Sequence, residues 1–359
     1  MERFCVFCGE SPEEKNKEHV LPAWLIELTG DPKRIAVFGI DFNRDFTIRK
    51  FSFDAFVFPA CTACNSAFGQ LEQSVKQVIV KMVAHQPLSA NDLILLLDWL
   101  DKVRVGLWLG YPYLNKNLLG IKPRFHIESR IGRADRMATI LHLDDADDGL
   151  TFVGPEFMSY QLSPTCFGLR INGVCIINAS GISLCSRRLG FPYLQPLRVR
   201  DDRELEAIPK FGSARVMNPV ERISRLPRSV SVYQPIFRGF LDLDNGKQYL
   251  ANEWVSEHTA DATKGHGTLF IQRADSVEAY GAEPSVDWIC TEKWSKSEMG
   301  LIAEHVHNRM RRDFEVSIRL VSSKEGRKQL RTDAVMVKQV DKAMLLSARQ
   351  HLRDLDLPK

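Results

Sequence analysis

Two short cysteine motifs carry the most specific chemistry in this 359-residue chain: Cys5-Val-Phe-Cys8, followed by Gly9, and Cys61-Thr-Ala-Cys64. A C-x-x-C pair places two thiolates on one tight turn, and two such pairs supply the four soft ligands that tetrahedral zinc prefers. A closed four-sulfur site leaves no coordination position for a substrate, so this zinc is expected to be a staple that contributes folding energy rather than catalysis. The other cysteines, Cys166, Cys175, Cys185 and Cys290, stand alone and read as small buried hydrophobes. Both classes suit a reducing compartment, where disulfides do not persist.

Between the two pairs stands Lys17-Glu18-His19-Val20-Leu21-Pro22, and Asn65 directly follows Cys64 at the start of an amphipathic run. Glu18, His19 and Asn65 inside the frame of Cys5, Cys8, Cys61 and Cys64 resemble the HNH, or ββα-metal, nuclease family in its zinc-stapled form. The resemblance covers about the first 85 residues. It implies that His19 is the general base, that Glu18 and Asn65 hold one catalytic Mg²⁺ or Mn²⁺, and that products carry 5′-phosphate and 3′-hydroxyl ends. The chemistry is consistent with these residue types. Phosphodiester hydrolysis needs an in-line water, a base titrating near neutrality and a cation held by hard oxygen ligands. Asn65 also suits a helix N-cap, and Glu72, two turns along the same face, reads as a supporting or solvated carboxylate. The chain departs from the family pattern in using Glu for the commoner Asp. Phe56-Val-Phe-Pro59 stands where a middle Asn is expected, with Asn43 as a weak substitute, and 41 residues separate His19 from Cys61.

The elements that must position these groups follow from periodicity. Phe68, Leu71, Val75, Val78, Ile79 and Met82 recur at helical spacing over residues 63–84. Residues 85–91, His-Gln-Pro-Leu-Ser-Ala-Asn, break the pattern, which divides the chain into a nuclease-like unit over 1–85 and a second domain over 86–359. Ser89 with Asp92 reads as a helix cap, and Leu93, Leu96, Leu97, Leu100, Val103 and Leu107 form the stripe of a buried helix. A hairpin is expected from residues 35–39 and 51–58. Strand-like runs cover 125–128, 137–143, 150–153, 230–243, 268–272 and 315–321, and a second hairpin spans Cys166 to Ala179 about Asn172-Gly173. In that hairpin Ile171 faces Val174 and Leu169 faces Ile176, so Cys166 does not oppose Cys175. Val335, Val340, Met344, Ala348 and Leu352 mark a last helix. The fold class expected is α+β: a small N-terminal zinc-stapled ββα-metal finger followed by a larger mixed α/β domain.

The net charge of +3 and pI near 8.4 do not by themselves name a partner. Lys and Arg outnumber Asp and Glu by 10 to 5 over residues 185–228 and by 8 to 3 over 308–331, so positive charge lies in the second half. Arg130, Arg133 and Arg136 would line one face of a helix. Arg187-Arg188, the run 198–203 and the run 309–312 could follow a sugar-phosphate track, with Phe191, Tyr193 and Phe314 as stacking platforms; solvated charged faces are the plainer alternative. His258, His266, His305 and His307 lack persuasive ligand spacing and read as ordinary polar histidines. No apolar run approaches the ~18 residues of a membrane span, and Met1 to Glu10 lacks the features of a signal peptide, so a cytoplasmic protein is expected. The function expected is a metal-dependent endonuclease cutting DNA in prokaryotic genome defence. Its second domain would select substrate, sense a trigger or dock a protein partner, with a homodimer allowed. The alternatives are a non-cleaving zinc-finger module that binds nucleic acid or protein, and a nuclease directed at RNA.

Overall fold

The computed structural model describes residues 4–12, 16–41, 47–55, 57–114, 126–144, 147–181, 198–199, 205–206, 228–237, 241–242, 247–248, 257–273, 276–281, 293–320 and 323–356. The fold is mixed, with antiparallel sheets and helices. The chain starts with β1 (Asn16–His19), α1 (Ala23–Leu28), a hairpin of β2 (Ile35–Asp41) and β3 (Thr47–Ser52), then β4 (Val57–Ala60), α2 (Thr62–Val83) and α3 (Ala90–Leu114). β1 pairs antiparallel with β4, and α2 packs on β1, so the β2–β3 hairpin is an insertion between two paired strands; of its expected second strand, 51–58, only 51–52 belong to β3, while Phe53–Ala55 form a short 3-10 turn and 57–58 belong to β4.

Helix α2 starts at the second cysteine pair because Cys61 is extended (φ −69°, ψ 146°) and Thr62 takes the first helical position. Val75, Val78, Ile79 and Met82 form its buried stripe. The chain turns at His85, which takes a left-handed φ of 54°, and α3 begins in the expected reciprocal cap. Ser89 Oγ accepts from Asp92 N at 3.1 Å, and Asp92 Oδ2 accepts from Ser89 N at 2.9 Å. The buried core runs without interruption across this turn, from Cys5 to Met344.

The second half is built on a seven-stranded antiparallel sheet: β5 (Asp135–His142), β6 (Leu150–Val153), β7 (Cys166–Ile171), β8 (Val174–Gly181), β11 (Val230–Gln234), β16 (Phe270–Arg273) and β17 (Ser276–Ala279), in the order β17-β16-β11-β5-β8-β7-β6. Between them lie α4 (Met158–Leu162) and three two-stranded ladders: β9 (Arg198–Val199) with β10 (Leu205–Glu206), β12 (Leu241–Asp242) with β13 (Lys247–Gln248), and β14 (Thr259–Asp261) with β15 (His266–Gly267). Helices α5 (Met299–Leu320) and α6 (Lys324–Asp356) close the chain. β7 and β8 pair in the expected register, Leu169 with Ile176 and Ile171 with Val174, and Cys175 opposes Arg170 rather than Cys166. Asn178 is bonded by Arg104 of α3, whereas Ile177 pairs with Gly168, over which Ile302 and Val306 of α5 pack. Successive strand residues face opposite ways, so α3 covers one face of the sheet and α5 the other.

Four expectations are corrected. Residues 315–320 are helical, because Ile302, Val306, Met310, Phe314 and Ile318 bury one continuous four-residue repeat along α5. Met344 is buried and Val340 packs partly buried against the core as expected, but Val335 is 60% exposed, and Val337 and Asp341 take the buried side of α6, where Asp341 accepts from Met158 N (2.6 Å) and Ser159 N (3.3 Å) of α4. Residues 126–128 form no strand: Ile127 N and Glu128 N donate to the carbonyls of Val6 and Phe7. Arg130 and Arg133 lie in turns and Arg136 in β5, where its fully buried guanidinium donates to Gln234 (2.9 Å) and Asp98, so these three arginines share no helix face. Cys166 and Cys175 are buried as expected. Asn43, Phe56, Cys185, Arg187, Arg188, Phe191, Tyr193, residues 200–203 and Cys290 lie outside the described residues.

Candidate metal centre

The first cysteine pair sits on a reversal that closes on itself: Cys5 N donates to Glu10 O at 2.7 Å and Gly9 N to Cys5 O at 2.9 Å. Gly9 has a φ of 85°, a left-handed conformation that costs glycine little. A Cβ there would also overlap the His126 ring. Val6 N donates to Pro59 O at 3.0 Å, which ties this turn to β4, and β4 leads straight into the second pair. The two motifs, 53 residues apart, are thereby brought to one place. The ligand sulfurs of Cys5, Cys8, Cys61 and Cys64 all lie within 4.8 Å of one another, with Cys8 Sγ 3.9 Å from Cys61 Sγ.

That set fits zinc. Four sulfurs around a tetrahedral ion at about 2.3 Å stand roughly 3.8 Å apart. Cys5 Sγ also accepts from Cys61 N at 3.2 Å, the kind of support that orients a thiolate ligand. Burial pushes the Cys5 thiol up, but backbone N–H groups of Cys8, Cys61 and Phe7 outweigh it and hold it below its ordinary value. Burial raises Cys61 to about 11 and Cys64 to about 12, each reinforced by the neighbouring sulfurs. Such crowded thiols share space most favourably around a dication, so the cluster could hold a metal ion such as zinc. Among the described residues it is the one group of three or more His, Cys, Asp and Glu side chains whose ligand atoms converge.

Glu18 and His19 end β1, opposite Phe58 and Val57 of β4, and strand alternation sends their side chains to opposite faces. Glu18 points inward and is 7% exposed. Its Oε1 accepts from Lys102 Nζ at 2.5 Å, and the same ammonium is bonded by Glu72 of α2. Lys102 Nζ also donates to the His19 carbonyl at 3.3 Å and lies 5.7 Å from the centre of the Phe7 ring, which itself stacks on Phe68. Burial pushes the Glu72 carboxyl up to about 7; Lys102 pulls it down and the Glu18 charge pushes it up. His19 is half-buried, and its Nε2 lies 3.2 Å from the Asp54 carbonyl oxygen. A carbonyl only accepts, so in this contact Nε2 is the donor.

Asn65 lies in the first turn of α2, its N–H donating to Cys61 O at 2.9 Å. Among the described residues no hydrogen bond joins its amide to Glu18 or His19. Thus the four cysteines meet, Glu18 and Glu72 meet through Lys102, and Asn65 stands apart from both. Lys102 is the participant that motif reading missed. The signal for it was a run of charges, Asp101-Lys102-Val103-Arg104, inside an apolar helix, and all four residues are fully buried. Among the described residues no helix is long and apolar enough to cross a membrane. No protein-family model, curated protein or solved structure matches the chain, so the reading of this site rests on its own residues.

Proposed function

We propose that the N-terminal unit is an HNH-type endonuclease that hydrolyses phosphodiester bonds in DNA, with the four cysteines as its structural zinc site. The observation that carries the reading is the His19 ring. The Asp54 carbonyl lies 3.2 Å from Nε2, a contact that favours the tautomer with its hydrogen on Nε2 and would leave Nδ1 to take a proton from water. In that role Nδ1 accepts the proton as the water oxygen bonds to phosphorus, the bond from phosphorus to the 3′ oxygen breaks, the departing 3′ oxygen takes a proton from solvent, and 3′-hydroxyl and 5′-phosphate ends result.

A divalent Mg²⁺ or Mn²⁺ would be held by Glu18 and Asn65, and when bound it supplies neutralisation of charge on the phosphate and leaving oxygen. The donor types suit such an ion, although Glu18 lies buried on Lys102 and Asn65 stands apart from it, so one of the two would have to move for both to hold the same ion. A carboxylate and an amide offer hard oxygens, and a carboxylate with one oxygen on Lys102 retains lone pairs on the other. Lys102 would then orient Glu18 from behind, as hydrogen-bonded partners of ligating carboxylates do.

The test is incubation of supercoiled plasmid with Mg²⁺ or Mn²⁺, wild type beside His19→Ala. Nicking by wild type and none by the variant supports the reading, and equal behaviour of the two removes His19 from the mechanism. Parallel digestion of single- and double-stranded DNA and RNA assigns the substrate.

A further inference from the structure

The exposed side of α6 carries a strip of positive charge, dense from Lys324 to Arg331 and resumed at Lys338 and Lys342 beyond the exposed Val335 and Met336. Lys324, Arg327, Lys328, Arg331, Lys338 and Lys342 are all exposed. At about 100° of turn per residue they fall within an arc of roughly 100° on one side of the helix. The acids of the same stretch lie off that arc: Glu325 and Asp333 by about 100° and 180° from its middle, and Asp341 on the buried side against α4. The strip is about 27 Å long, from 18 residues at 1.5 Å each. Among the described residues none of the six cations has an acidic partner. Elsewhere on the two terminal helices cations are paired, Arg349 with Glu304, Arg311 with Glu315 and Arg309 with Asp313. A shallow groove runs along the strip from Lys324 to Gln339, lined by Arg327, Lys328 and Arg331 with Val335 and Met336.

We propose that this face of α6 is a docking surface for the sugar-phosphate backbone of double-stranded DNA. Six like charges in line, with no acid among them, call for a linear polyanion. Over ~27 Å of its axis a duplex carries about sixteen phosphate charges on its two strands, a dense linear anion for the strip to face. A membrane surface is disfavoured because the apolar side of α6, with Val337 and Met344, is packed inside the protein, and Val335, Met336 and Leu346, the large apolar side chains it exposes, are scattered among charges and form no continuous apolar face. The contact reads backbone and not sequence, since lysine and arginine on phosphates position a protein without distinguishing bases. It stands on the charge and geometry of α6 alone and holds whether or not His19 cuts.

The experiment measures anisotropy of a labelled duplex of about 30 base pairs with the full chain, without added Mg²⁺ or Mn²⁺, between about 50 and 200 mM salt. One variant is Lys324→Gln/Arg327→Gln/Lys328→Gln/Arg331→Gln. A control removes the same charge elsewhere on the surface, Lys33→Gln/Arg133→Gln/Lys264→Gln/Lys293→Gln. The strip variant is expected to bind roughly tenfold or more weakly and to lose about 3 to 4 from the slope of log affinity against log salt. The control should keep the wild-type slope. Glutamine is a good helix former and circular dichroism checks that α6 persists; single Lys328→Gln and Arg331→Gln variants should each lower the slope by about 1. Equal slopes for strip variant and control overturn the proposal, as does wild-type binding to phosphatidylserine-containing phosphatidylcholine vesicles, or to acidic polypeptide, with none to the duplex. Duplex binding retained by His19→Ala would separate this surface from the cleavage reading, and cutting with unchanged strip-variant binding would sink the strip alone.

Discussion

Replacing Glu72 by glutamine should flatten the pH dependence of stability that this carboxyl imposes. Glu18, Glu72 and Lys102 bring two carboxylates to one buried ammonium, so the fully ionised triad carries an excess negative charge. Burial raises Glu72 from 4.5 to about 7 despite the lysine, because desolvation outweighs the attraction. In the unfolded chain the group loses its proton near pH 4.5, whereas in the folded protein it holds the proton until about pH 7. The folded state therefore binds more protons between these values. The associated stability is complete below pH 4.5 and is lost as pH rises through 7. The full span corresponds to about 3 kcal/mol, and the part between pH 5 and pH 8 to roughly 2–3 kcal/mol, by linkage. Glu72→Gln keeps the shape, leaves Lys102 paired one-to-one with Glu18, and has no proton to lose. Urea unfolding followed by tryptophan fluorescence at pH 5, 6, 7 and 8 should show the variant gaining on wild type by that amount as pH rises. Asp135, raised to about 6, and Glu156, raised to about 7, slope the same way in both proteins, so the wild-type-minus-variant difference isolates Glu72. A difference that stays constant from pH 5 to pH 8 would refute the argument that desolvation dominates at this site.

Other outcomes follow from the same contacts. Metal analysis of zinc-replete protein should find about one zinc per chain, lost in Cys61→Ser together with part of the stability; less than about half an equivalent would count against the four-cysteine staple. Lys102→Met, which strands Glu18 and Glu72, should cost about 3–5 kcal/mol at pH 8 and less at pH 5, where Glu72 is protonated, and a pH-independent loss would contradict the triad. Asn172 holds a φ of 51° at the hairpin turn while its Oδ1 accepts from Gly149 N at 2.9 Å. Asn172→Val should therefore lower stability by roughly 2–3 kcal/mol and Asn172→Gly by only about 1 kcal/mol, in equilibrium unfolding.

What could be read from the sequence alone is what depends on neighbours in the chain. The four thiol ligands, the start of α2 at the second cysteine pair, the Ser89–Asp92 cap and the Asn172-Gly173 register each arise from spacing within a turn or a few residues, and each is present in the fold. What the tertiary structure alone decided is which charges meet. Lys102 reaches Glu18 across 84 positions. Arg136, which helical spacing grouped with Arg130 and Arg133, is drawn into β5 by Asp98 and Gln234. Asp341, by capping α4, turns the buried side of α6 away from Val335 and leaves the lysines and arginines of that helix facing out. Periodicity reports which face of an element is apolar, but a charge acquires its partner only when distant segments pack. Burial then enforces pairing, because an unpaired charge in the interior costs several kcal/mol, on the order of 3–5.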